Sequence, residues 1–579
     1  MIRIMLFALT AACAYLTMPG SMGSEGTASE AFKIIGRRCG SCHGEVNPQS
    51  DFSVASHQNM LAKKLSDEDS FAVVPGNLDR SELWQRIRSV DDLVMPPDGP
   101  IPEEEQAIIR QWIESGAKAP PASEPVDELR PFVSTLDVYE AIERDLRSHL
   151  PDETRYFRYF SLQHLHNNPS FTSGDLRIFR AALSKLINSL HWENVVVAPV
   201  PIDEHQTILR INLVDIGWDR GRLWRKLLRE YPYGLSYDTS RDKRLAISAT
   251  NVYQATCTRI PILRADWFVA NAAVPPLYHA LLDLPDGQNA DRALEYRLRV
   301  DVERDFIKNR LMRAGFVKSN VSEHNRLVDR HPAAYGAYWK SYDFASSVGR
   351  QDLTQAPLGP SFPGNEYERH AFNADGGEII FNLPNGMQGY MLIDGKGKRI
   401  DRGPINVVFD SKQPLRNKKV INGISCIVCH SRGMQPFTDS IRDATTLRGF
   451  AGQKVSRLFR EKREMDRALE SDSSRFLNSL RQATEPFLDA QDDPVKREPV
   501  VALAATFTNE LNLETVAAEL GLESADDLQP LVRQLGLAIL ENGRLIKRDT
   551  WQGTRPTQPY SQFQLVSERL ELGTPERVF

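Results

Sequence analysis

Six cysteines in 579 residues are too few for a disulfide-stapled scaffold. Charge of one sign is also missing. The 71 Lys+Arg stand against 76 Asp+Glu, and the balance of −5 offers nucleic acid no basic footprint. No compositional bias stands out either. With 41% hydrophobic and 25% charged residues and no internal repeat, wholesale disorder and fibrous classes are excluded. Beyond the N-terminus no run approaches 18 apolar residues, so no membrane span is expected in the mature chain. At about 100–200 residues per domain, the length asks for about three or four domains.

What is present begins at the N-terminus. Arg3 gives a short positive region, Ile4 to Met18 is apolar and uncharged, and Ser21 and Gly23 are small residues suited to cleavage. Residues 1–23 read as a secretory signal peptide, which predicts a periplasmic protein. Cys13 has no large aliphatic residue three positions before it, so lipid anchoring there is not expected. Losing Arg3 takes the balance to 70 − 76 = −6.

The remaining cysteines are clustered. Cys39-Gly-Ser-Cys42-His43 and Cys426-Ile-Val-Cys429-His430 both have the form C-x-x-C-H. Two thiols three positions apart can each add to one vinyl group of a single haem, and the adjacent histidine then faces the iron. A zinc site would need a second Cys/His pair at short spacing, and neither pentad has one. The expected cofactor is haem c, two copies, covalently attached. Cys257 is left unpaired and reads as an inert core thiol.

Around the first pentad, Ala31, Phe32, Ile34 and Ile35 lie at helical spacing, and Pro102 followed by Glu103 to Glu105 opens a second helix. Ile108, Ile109, Trp112 and Ile113 form the apolar face of that helix, which ends at Gly116. Two packed helices flanking a haem pentad are the build of a small cytochrome c. Between them Met95-Pro96-Pro97 presents a thioether on a stiff segment, suited to the sixth position of a haem held by His43. The run Pro75-Gly-Asn-Leu-Asp-Arg-Ser-Glu-Leu-Trp84, the Met95-Pro96-Pro97 element and the closing helix resemble the planctomycete-type cytochrome c domain over about residues 30–120. The resemblance implies one c-type haem with His43 and Met95 as axial ligands. It covers one-sixth of the chain.

The fold expected overall is mainly α and multidomain, with a small antiparallel β meander. Residues 24–117 form the cytochrome c domain, and 118–131 a Pro-rich linker. Residues 132–375 form a mostly helical domain of unknown role. Residues 376–579 hold the meander, the second haem site and a helical tail. Helices are expected at Leu176 to Leu190, Arg222 to Glu230, Leu511 to Leu520 and Leu528 to Leu540. Strands are expected at Glu378 to Leu383 and Met387 to Ile393, joined by Asn385-Gly386, and at Ile405 to Phe409. The Arg-rich stretch from Asp219 reads as a solvated helix face, and Arg416 to Lys419 as a solvated turn.

No second Met-Pro-Pro loop accompanies Cys426. Met434 lies only four residues past His430, too close to reach the opposite side of an iron. His164, His166, His324, His331 and His370 are candidates for that position, with His331 preferred. Arg259, Asp266 and Trp267 offer a possible distal acid/base pocket, although packing plus an ion pair explains them as well. The leading function is one-electron transfer by an exported di-haem c-type cytochrome with a redox partner protein. The alternatives are a di-haem oxidoreductase, in which haem 1 feeds a catalytic haem 2, and a haem-bearing sensor or scaffold. The sequence does not give the oligomeric state.

Overall fold

The structure, a computed structural model, describes residues 24–43, 54, 57–61, 71–89, 94–96, 100–118, 130–316, 324–404, 419–490, 492–495, 497–554 and 559–578. The expected signal peptide, most of the expected linker, the expected strand at 405–409 and Arg416 to Lys418 lie outside the described residues. The chain divides into two compact units, residues 1–126 and 127–579.

The first unit is built on the expected helix pair. In the helix Ser24–His43, Ala28, Ala31, Ile34, Ile35 and Cys39 recur three to four apart and are buried on one face. They form a core with Ile109, Trp112 and Ile113 of the helix Glu103–Glu114. Phe32 meets Trp112 edge to face, with 5.5 Å between ring centroids. Arg38 grips Glu105 with two bonds of 2.8 and 3.0 Å, tying the two helices together. The three acids of the second helix's first turn complement its positive end.

The second unit is mainly helical, with strands β1 (Phe157–Ser161), β2 (Val200–Pro201), β3 (Ile208–Asn212), β4 (Leu235–Ser236), β5 (Ile262–Arg264), β6 (Met312–Phe316), β7 (Arg326–Ala333), β8 (Gly336–Asp343), β9 (Gly376–Asn382), β10 (Gln388–Asp394) and β11 (Thr574–Pro575). They form a four-stranded sheet in the order β2-β3-β1-β5, a five-stranded antiparallel meander β10-β9-β8-β7-β6 and a short pair β11-β4. The expected strands on either side of Asn385-Gly386 are β9 and β10. Only Gly386 takes the left-handed backbone at that turn, with φ +87°.

Three further strands precede them, so the meander starts at Met312 and not at residue 376. The β8–β9 ladder, with Trp339 opposite Ile380 and Lys340 opposite Ile379, crosses the expected boundary at 375/376. Residues 127–579 are accordingly one compact unit where two domains were expected.

Helix Ser173–Asn188 is buried along most of its length and packs on Lys462–Thr484 and Pro499–Thr508. Helix Leu223–Glu230 buries Trp224, Leu227 and Leu228 and leaves Arg225, Lys226 and Arg229 in solvent. The helix expected at Leu528 to Leu540 is broken into short turns, because Pro530 lacks a backbone donor and Gly536 adopts φ +77°. Among the described residues no helix is long and apolar enough to cross a membrane.

In the second unit burial disfavours the charged form of His164, His166, His191 and His279. His191 donates through Nε2 to Asn188 Oδ1 (3.3 Å), and its Nδ1 accepts from the Glu193 amide (3.2 Å). Burial pushes its pKa down to about 4 from 6.5. The unfolded chain therefore takes up the proton first. The stability His191 contributes is complete above about pH 6.5 and is lost as pH falls through about 4. The loss is on the order of 3 kcal/mol. Urea titrations at about pH 7 and about pH 4.5 should show a lower midpoint at the acid pH. His191→Gln, which cannot charge, should narrow that gap; an unchanged gap would count against this source.

Candidate haem-binding sites

In the first unit the pentad occupies the last turn of Ser24–His43. Cys39 is buried in the core of the helix pair, and His43 is half-buried at the helix end. Cys42 lies on the same turn. Met95 lies in the segment 94–96, which is tied back to helix Glu82–Arg88 by the Met95 amide donating to the Arg86 carbonyl (3.0 Å). The thioether-bearing residue is 37% exposed. The family resemblance and the spacing thus lead to residues in one small unit.

The second pentad occupies the short helix Ile424–Cys429, with His430 just past its end. Cys426, Cys429 and His430 line one cavity of about 720 Å³, within the range of cofactor pockets. Its opposite wall is one face of the meander. Strand alternation puts Arg326 and Val328 of β7, Trp339, Ser341 and Asp343 of β8, and Glu378 and Ile380 of β9 on that face.

His430 is oriented by its backbone surroundings. Its Nδ1 lies 3.0 Å from the Gly433 carbonyl oxygen. That oxygen can only accept, so Nδ1 carries the proton and Nε2 keeps its lone pair, the arrangement of an iron-binding imidazole. Tyr390 stacks on the ring with centroids 6.0 Å apart. Burial, and after it the Glu378 carboxylate, pushes the Cys426 thiol well above its ordinary value and keeps it neutral. Two thiols, one correctly protonated imidazole and a roomy, largely apolar cavity suit a covalently held haem.

Across the cavity, Arg326 grips Asp343 through Nε (2.5 Å) and Nη2 (3.1 Å), directly cross-strand. Glu378 reaches toward His430, with Oε2 3.9 Å from Nε2. Glu378 falls in an expected strand and carries no expected role. Which face of β9 it occupies depends on pairing with β8, a partner the local pattern did not disclose.

None of the five candidate distal histidines lines this cavity. The preference for His331 is corrected. On β7 it alternates to the face away from Arg326 and Val328, is fully buried, and pairs through Nδ1 with Asp305 (2.9 Å). His164 pairs with Asp266 (2.9 Å), and His166 pairs with the Pro131 carbonyl and stacks on His205. His370 contacts the Gln355 carbonyl.

The possible pocket of Arg259, Asp266 and Trp267 does not assemble either. Arg259 binds Asp238 and Glu576 at the surface, while Asp266 is buried with Arg264 and His164. Met434 remains unsuited to the distal side. Its neighbour Gly433 is bonded to Nδ1, on the edge of the ring remote from Nε2. Among the described residues no group of three or more His, Cys, Asp and Glu is placed to hold a bare metal ion.

A pentad at the end of the first of two packed helices, with a Met-Pro segment in the same unit, defines a cytochrome c-like domain. Residues 39–99 match the family model of planctomycete cytochrome C, the family the sequence motifs resemble. Such a domain implies covalently bound haem c and haem-based electron transfer. No curated protein and no solved structure matches the chain.

Proposed function

We propose that the protein is an exported, periplasmic di-haem c-type cytochrome. It would carry single electrons through a first haem on Cys39, Cys42, His43 and Met95 and a second on Cys426, Cys429 and His430, in exchange with a redox partner protein. When bound, each haem supplies an iron that cycles between Fe(III) and Fe(II). The chain's residues do the rest. The cysteines fix each porphyrin edge, the histidines give the proximal nitrogen, and the Met95 thioether raises the potential of the first site. The observation that carries the reading is the convergence of Cys426, Cys429 and His430 on one cavity, far along the chain from the matched domain.

A second reading has its own support. Among the described residues, the cavity wall facing His430 carries Glu378 and Arg326, and no histidine or methionine. That wall suits an oxidoreductase in which the first haem feeds electrons to the second. Rapid oxidation of the reduced protein by hydrogen peroxide, faster than outer-sphere transfer to a dye, would favour it over simple electron carriage.

Met95→Ala tests the first site alone. The far-red absorption band of Met-ligated ferric haem should vanish and the higher of two midpoint potentials should fall. Persistence of the band in the variant would remove Met95 from the ligand set.

A further inference from the structure

Among the described residues, the side of the cavity opposite His430 has few groups able to bind iron. Asp343 is engaged by both branches of Arg326. Lys340 turns its ammonium to the other face of the meander, where Asp291 (2.7 Å) and Glu295 (2.9 Å) hold it. Met434 also lines the cavity, but it directly follows Gly433, whose carbonyl holds the edge of the His430 ring remote from Nε2. Glu378 remains.

Its position is defined by the sheet. The Glu378 amide donates to Ser341 Oγ at 2.8 Å. β9 is flanked by β8 and β10, with Leu392 directly across from Glu378. The side chain is 15% exposed, and its Oε2 lies 3.9 Å from His430 Nε2. That is too long for a hydrogen bond. It lies just under the span of two coordination bonds end to end, about 4.0–4.4 Å, since imidazole nitrogen and carboxylate oxygen each sit about 2.0–2.2 Å from a first-row metal such as zinc.

We propose that Glu378 is the sixth-position ligand of the second haem, which makes that site a histidine–carboxylate centre. The proposal rests on the two-haem reading. Carboxylate oxygen is a hard anionic donor that favours Fe(III). The second site would then have the lower potential of the two, opposite in tuning to the Met95 site.

The test uses the full-length holoprotein, made with cytochrome c maturation, and the variants Glu378→Gln and Glu378→His. Haem per chain is counted by the pyridine haemochrome method. The second site is then read by electron paramagnetic resonance of the oxidised protein and by redox titration. Two haems are expected, one of them giving a high-spin ferric signal that E378H converts to low-spin. E378Q should raise the lower midpoint potential and leave the higher one in place. Circular dichroism confirms that each variant is folded, and E378Q preserves the side chain's shape if E378H does not fold. One haem per chain overturns the two-haem reading and the assignment with it. Two haems, with the second site's signal and potential untouched in a folded E378Q, overturn the assignment of Glu378 alone.

Discussion

Glu519→Ala is expected to lower the stability of the second unit by about 3–5 kcal/mol, the cost of stripping one partner from a buried ion network. Glu519 is held on both oxygens. Arg264 bonds to Oε1 at 2.8 Å, Arg548 bonds to Oε1 at 2.6 Å, and Trp551 Nε1 donates to Oε2 at 2.7 Å. Asp266 completes the cluster, accepting from Arg264 at 2.7 Å and pairing with His164 at 2.9 Å. Burial and Arg264 both disfavour the charged form of His164, which lies below its ordinary value despite Asp266. Two guanidinium groups are thus balanced by two carboxylates.

Burial alone would raise the Glu519 carboxyl, yet Arg264 and Arg548 hold it at about 2. Its contribution is therefore present above about pH 4.5 and is lost only as pH falls through about 2. Removing it leaves a net positive charge and an unbonded indole N–H in the interior. Urea unfolding at neutral pH measures the effect. Arg548→Met added to Glu519→Ala should recover part of the loss, since it removes the stranded charge. A loss under about 1 kcal/mol would mean that the cluster is solvated and not the staple described here.

The second large effect concerns haem content. Cys426→Ala with Cys429→Ala is expected to take the purified protein from two haems per chain to one. The first site's potential should be unaltered, because the residues proposed to hold its haem, Cys39, Cys42, His43 and Met95, all lie within the first unit. The unit around the cavity should also melt earlier, since a space of about 720 Å³ would then be left without its occupant. The pyridine haemochrome ratio decides the matter. An unchanged ratio, or a wild-type ratio of one, would remove the second haem from the account.

The parts of the molecule legible in the sequence are those whose cause is local. The pentads announce themselves because thioether chemistry fixes their spacing, and the helix pair of the first unit shows in apolar residues three and four apart. β9 and β10 were legible from their apolar runs and the Asn385-Gly386 turn.

β6, β7 and β8 were not, and the reason is physical. A strand is recognised by apolar residues alternating with polar ones. β7 instead buries Asp329 and His331 on its inner face, with Arg313 of β6 bonded to Asp329 at 2.6 Å. A run reading Arg-Leu-Val-Asp-Arg-His-Pro-Ala looks like solvated loop when the cross-strand partner that neutralises it is out of view. Glu378 stayed unread for the same reason. Its chemistry comes from standing opposite His430, 52 positions away, and no periodicity encodes that.

Gly433 carries the carbonyl that orients His430, with φ +90°, and a Cβ there would meet Ser473 Cα at 2.9 Å. The next amide, of Met434, donates to Ser473 Oγ at 3.1 Å. The His430 imidazole is therefore aimed by the helix Lys462–Thr484, seated behind it some forty residues downstream. On the two-haem reading, the colour of the second site doubles as an optical gauge of that helix. Any event that unseats it, from partner docking to early melting, would be visible in the Soret region before the chain unfolds.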